Sequence, residues 1–261
     1  MRIDKKTVGL AILLVVGILE LTLLTGISNQ HKRTGGLQKQ DDPTSVQEGR
    51  MTDKQREHSK LYKGFGDGKK LKDIAVQISG GVKVKRNTPL PRGETVPSPN
   101  FSEFLKGLAC SADAVVIAVL KDKSSQLTED GDFVFTDYEL TIEDVLKDNE
   151  FAHLVPNISL TLTQPGGKVR LEGYIIEADD ASFKPLVIGE RYALFLKFIP
   201  STGTYASLNS ASTYELRDNK IKVQSEEAFR PDLNKEKASA LIEIVRSVAD
   251  VGCGSKGGNH D

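Results

Sequence analysis

The period of the apolar positions changes along the chain. From Thr7 to Ile27 they form one run broken only by Glu20, with Arg2, Lys5 and Lys6 ahead of it. The unbroken part, Val8 to Leu19, has the length of a signal-peptide core. The whole run, at about 1.5 Å per residue, is long enough for a bilayer core of about 30 Å. It predicts a single N-terminal hydrophobic helix within residues 1–28, kept as a membrane anchor or removed as a signal segment near Ser28. An uncleaved anchor is the expectation, because Gly26-Ile27-Ser28 offers small residues but no A-x-A site. The basic head then stays cytoplasmic, and the rest lies outside the cytoplasm on a single-pass protein of the cell membrane. Cleavage would instead release a secreted or periplasmic chain.

From residue 29 to 72 large apolar residues almost vanish and Gln, Lys, Asp, Gly and Ser dominate. Such a segment buries too little to offset its ordering entropy, so a disordered polar linker is expected, with a short helix allowed around Thr52 to Leu61. Ile74, Val76 and Ile78 then alternate with polar residues, Ser79-Gly80-Gly81 reads as a turn, and Val82 and Val84 resume the alternation. Residues 73–100 therefore predict a β-hairpin followed by a spacer containing Pro89, Pro91, Pro97 and Pro99.

Beyond this the pattern is that of one domain over 101–250. Phe101, Phe104, Leu105 and Leu108 share a helical face. Ala114 to Leu120 is a continuous apolar run, as in a strand buried on both faces. Phe133 and Phe135 share one parity, Tyr138, Leu140 and Ile142 the other, so a bulge is expected near Thr136-Asp137. Ile158, Leu160 and Leu162 alternate with Ser159, Thr161 and Thr163, ahead of a type II turn at Gln164-Pro165-Gly166-Gly167. Strands follow around 169–171, 174–176, 192–198, 204–208 and 213–223, the last bent by a hairpin turn at Arg217 to Lys220. Ala238, Leu241, Ile242, Val245 and Val248 give a closing amphipathic helix, expected from Leu233 to Ala249 with Asp232 as its N-cap. The fold class is mainly β: an antiparallel, partly open OB-type barrel of about six or seven strands between two helices, with a β-sandwich as the alternative. Residues 251–261 read as a flexible tail.

Composition narrows the function. Lys+Arg (35) and Asp+Glu (36) nearly cancel, and no basic window is interleaved with aromatics, so no nucleic-acid partner is expected. The four histidines stand apart, without metal-ligand spacing, so no metal and no cofactor is expected. Several acids look chemical at first sight. Ser111 and Asp113 flank the first strand, but no partner base stands near them in sequence. Glu129-Asp130-Gly131-Asp132 and Asp179-Asp180 lack a calcium loop's remaining ligands, and Glu190-Arg191 reads as a surface ion pair or a strand-entry contact. Cys253 and His260 are two metal donors, too few for a site. No catalytic residue is assigned. The two cysteines, Cys110 and Cys253, are expected to form a disulfide, since an exported chain meets an oxidising compartment. Two free thiols are the alternative.

Particular stretches carry a resemblance: Cys110 to Ile117 (CSADAVVI), Thr136-Asp137-Tyr138, Ile142 to Lys147 (IEDVLK), Thr163 to Gly167 (TQPGG) and Ile188 to Leu196 (IGERYALFL). The chain resembles a group of uncharacterised bacterial envelope proteins. It is also similar to the netrin-like domain of tissue inhibitors of metalloproteinases, which implies an OB-type barrel over about residues 108–225. The inhibitor mechanism of that family is not implied here. It needs a cysteine with a free amine at the mature N-terminus, and Cys110 lies deep in the chain. The expected function is a non-enzymatic extracytoplasmic binding or interaction module, tethered through the N-terminal helix and contacting an envelope protein or glycan. A structural or accessory envelope protein, or an enzyme whose site is not visible in sequence, are the alternatives.

Overall fold

The computed structural model describes residues 45–46, 51–78, 81–86, 100–148, 152–224 and 236–253. The expected hydrophobic helix of residues 1–28, the four spacer prolines, Asp232 and His260 lie outside the described residues. No helix among the described residues is long and apolar enough to cross a membrane.

The described strands are β1 (Ser45–Val46), β2 (Val82–Arg86), β3 (Ala114–Leu127), β4 (Val134–Lys147), β5 (Ser159–Pro165), β6 (Gly167–Leu171), β7 (Tyr174–Asp180), β8 (Arg191–Ile199), β9 (Thr204–Ser207), β10 (Thr213–Arg217) and β11 (Lys220–Val223). The described helices are α1 (Asp53–Leu61), α2 (Leu71–Gln77), α3 (Phe101–Ser111) and α4 (Ala238–Val251). The chain is thus mainly β. The larger sheet runs β11-β10-β8-β3-β4-β5-β9, and further β8–β9 pairing turns it back on itself through β8, β3, β4, β5 and β9. Around that ring every pairing is antiparallel except β5 with β9. The smaller sheet, β1-β6-β7-β2, carries parallel strands at both edges.

Three apolar clusters follow from the alternation. Val116, Leu120, Tyr138, Leu140, Leu162, Tyr192 and Leu194 fill the inside of the ring. The opposite parity of β3 and β8, with Val115, Ile117 and Phe195, packs with β10 and β11 under α3 and α4. Leu71 and Ala75 of α2 cover the smaller sheet together with Phe133 and Val134. Each fully buried Leu or Phe contributes about 1.5–3 kcal/mol, so these strands define the fold.

Four local expectations are corrected. Residues 71–77 are helix, not the first arm of a hairpin: Leu71 and Ala75, one turn apart, are buried, while Val76 and Ile78 of the apparent alternation are 48% and 57% exposed. Val82 and Val84 do lie in a strand, but it pairs in parallel with β7. Residues 51–72, expected as linker, are described as α1, a turn and the start of α2, with His58, Ser59 and Tyr62 buried. The β4 ladder is regular through Thr136-Asp137; its irregularities face Val115/Val116, Ile117/Ala118 and Leu120/Asp122 instead. The change of parity in β4 has another cause. Val134 to Tyr138 are buried on both faces, because the outer face is covered too. Finally, α4 begins at Ala238 rather than Leu233, and the β10–β11 turn caps it. Ala238 N donates to Asn219 O (3.1 Å) and Ser239 N to Asn219 Oδ1 (3.1 Å).

The turn at Gln164–Gly167 carries the chain from one sheet to the other. Gly166 and Gly167 both take positive φ, and a Cβ on Gly167 would stand 2.2 Å from Thr136 Oγ1. Only glycine allows that approach.

Candidate functional site

The outer face of β4, β5 and β9 is polar. Asp137 and Glu139 lie opposite Thr163 and Thr161, and the parallel register puts Thr204 on the same face as Thr161. Clean alternation in β5 makes this face polar, since Leu160 and Leu162 take the inside. Left to solvent it would be an ordinary exposed sheet surface. Instead α1 lies on it.

α1 forms without an apolar stripe. Thr52 and Gln55 make a reciprocal capping box, with Gln55 N donating to Thr52 Oγ1 (3.2 Å) and Thr52 N to Gln55 Oε1 (2.9 Å). Lys54, His58 and Tyr62 follow at intervals of four and so line one face. Each meets a polar partner on the ring. Lys54 Nζ donates to Thr161 Oγ1 at 2.8 Å and stands 3.7 Å from Glu139. His58 Nδ1 is 2.8 Å from Asp137 Oδ1, and its Nε2 is 2.7 Å from Thr204 Oγ1. Tyr62 OH donates to Thr163 Oγ1 at 3.3 Å, and its ring stacks on Phe135 with centroids 5.6 Å apart. Burial pushes the Tyr62 phenol far above its ordinary pKa.

The arrangement of Thr204, His58 and Asp137 matches the order of a hydroxyl nucleophile, a general base and an orienting carboxylate. A carboxylate accepts, so Nδ1 carries the proton, and in the neutral ring Nε2 accepts from Thr204. Access decides between catalysis and structure. His58 is 0% exposed, Thr204 5% and Asp137 7%, and the Thr204 hydroxyl also touches Thr202 Oγ1 at 2.6 Å. No substrate carbonyl can approach that hydroxyl with α1 in place. The imidazole is a latch that satisfies two buried groups of the ring.

The acidic turn belongs to the same docking surface. Glu129 N donates to Ser59 Oγ (2.7 Å) and Leu71 N to Gly131 O (2.8 Å). Burial, then the hydrogen bond and charge of Asp130, raise the Asp132 carboxyl. The turn anchors the segment after α1. Among the described residues no group of three or more His, Cys, Asp or Glu side chains could hold a metal.

The other residues singled out in sequence are placed apart. Asp113 does find a base: its carboxylate accepts from Lys197 Nζ (2.8 Å) and Phe198 N (2.9 Å). Burial alone would raise its pKa, but these two donors outweigh burial and lower it. Ser111 Oγ donates back to Gly107 O (2.9 Å). Lys147, its pKa lowered by burial, closes the end of α3 by donating to Ala109 O and Ala112 O (2.8 and 2.6 Å). Asp179 pairs with Lys83 at 2.9 Å, and Asp180 accepts from Ser182 N at 2.8 Å. Arg191 pairs with Glu143 across the strands rather than with Glu190. Cys110 and Cys253 are joined by a disulfide, Cα to Cα 5.5 Å, linking the last turn of α3 to the residues after α4.

His58, Lys54 and Tyr62 were not among the candidate residues. The signal that could have found them is the four-residue spacing behind a Thr52-x-x-Gln55 cap. No family model matches the chain, and no curated protein matches it.

Proposed function

We propose that the chain is a non-enzymatic binding or interaction module on an OB-type barrel, held outside the cytoplasm by its N-terminal hydrophobic segment. The ring supports the barrel reading. Five strands, with a single parallel pair joining the third to the last, suit a small, partly open barrel better than a sandwich. The observation that carries the binding reading is the outer face of β4, β5 and β9. It holds a helical segment by side-chain bonds from Lys54 and His58, the manner in which a recognition surface holds a peptide. A partner protein of the envelope suits such a face.

The test uses the full chain in intact cells. A membrane-impermeant cross-linker is expected to give discrete adducts competed by purified chain, and external protease to remove the domain while a cytoplasmic marker survives. A domain protected until lysis, or adducts that purified chain does not compete, would contradict the proposal.

A further inference from the structure

α1 is attached differently from every other described helix. α2, α3 and α4 each bury aliphatic side chains against a sheet. The buried residues of α1 are His58 and Ser59, and its one leucine, Leu61, is 44% exposed. Its hold on the ring is a row of polar bonds, which opening exchanges for bonds to water, and one aromatic stack just past its last turn, Tyr62 on Phe135. The face it covers is built of hydroxyls and carboxylates that water also solvates, with the Phe135 ring at one end. A nine-residue helix has little stability of its own, so it orders on docking. Just beyond Tyr62, Gly64 adopts a φ of +75° with no atom within 4 Å of where a Cβ would stand, a point where the chain can bend.

We propose that α1 is a strap that opens from the ring, and that the face beneath it takes a partner helix carrying a cation and an imidazole one turn apart. The recognition chemistry is that of the resident helix. Glu139 and Thr161 receive the cation; Asp137 and Thr204 receive the two nitrogens of the imidazole. The face carries two carboxylates against one helix stripe with one lysine, so a basic helix complements it. This rests on the binding-module reading and names the class of partner. In the resting chain the strap competes with that partner in cis, at the high effective concentration of a tethered segment.

Two measurements on the full chain test it. In native-state hydrogen exchange, α1 amides are expected to open at least a hundredfold more often than those of β3. In the second, a fluorescent synthetic peptide of residues 51–64 is titrated into wild-type chain and into His58→Ala chain. It is expected to bind the variant at least tenfold more tightly, and to lose at least tenfold when its own histidine is replaced by alanine. If His58→Ala chain does not fold, Lys54→Ala, altering a half-exposed side chain, takes its place. Opening of α1 only together with β3, or peptide affinity indifferent to its histidine, would overturn the proposal. Peptide binding without any cellular partner would leave the strap standing and defeat the wider function. A cellular partner that the peptide cannot displace would do the reverse.

Discussion

Replacing Cys110 and Cys253 together by serine is expected to lower stability by about 3–5 kcal/mol without changing the fold. The bridge spans a sequence separation of 143, so it removes much of the freedom of the unfolded chain. In the loop-entropy account a closure of that length is worth about 5 kcal/mol, and native strain usually trims it. Both cysteines are exposed, so serine leaves no cavity and exposes no new apolar surface. The native contacts of α4 should persist, since Leu241, Val245 and Val248 stay packed with Phe195 and Tyr214. Far-ultraviolet circular dichroism should therefore be unchanged while Tm falls by about 10 °C. Wild-type chain measured under reductant should match the double variant. Equal urea midpoints for oxidised, reduced and substituted chain would show that the bridge constrains nothing.

The second large effect concerns the latch. Asp137→Ala is expected to cost about 3 kcal/mol, because it leaves the Nδ1–H of a fully buried imidazole without an acceptor. His58→Phe should cost about as much by the opposite route, stranding the Asp137 carboxylate under an apolar ring. Thr204→Val removes the neutral hydrogen bonds of its hydroxyl to His58 Nε2 and Thr202 Oγ1 and should cost about 2 kcal/mol. None of these losses can exceed the free energy that docks α1, because an opened strap returns the groups to water. Replacing both His58 and Asp137 by leucine should cost less than the sum of the single changes, since no polar group is then orphaned. Urea midpoints check the series. Additive losses would mean that the two residues do not interact.

How much of this was legible in sequence follows from the kind of contact involved. The strands of the ring were readable because one face of each meets an apolar interior. Leu160 and Leu162 against Thr161 and Thr163 is the clearest case. The β10–β11 hairpin turn was readable too, at Asp218-Asn219, where both residues take positive φ. The disulfide expectation rested on the reading of the chain as exported into an oxidising compartment, and the structure joins the two cysteines. α1 was allowed only as a short helix inside a linker, because hydrophobic periodicity is blind to a helix that docks through Lys54 and His58. The partners of His58, Asp137 and Thr204, lie 79 and 146 residues away, and nothing local marks them. α2 was misread because Ile74, Val76 and Ile78 alternate by chance, while the burial that matters is at Leu71 and Ala75. The parity change in β4 was real, but covering the outer face explains it better than an inserted residue. In each miss a tertiary partner overrode a local pattern.

The account turns on whether His58 is sealed between α1 and the ring. Histidine-selective NMR of the full chain tests this most directly. The account predicts a His58 Nδ1–H that is shielded from exchange with water, shows contacts to the Asp137 side chain, and disappears in Asp137→Ala. A His58 ring proton that exchanges freely, or modification of His58 by diethyl pyrocarbonate as fast as a free imidazole in the native chain, would contradict it.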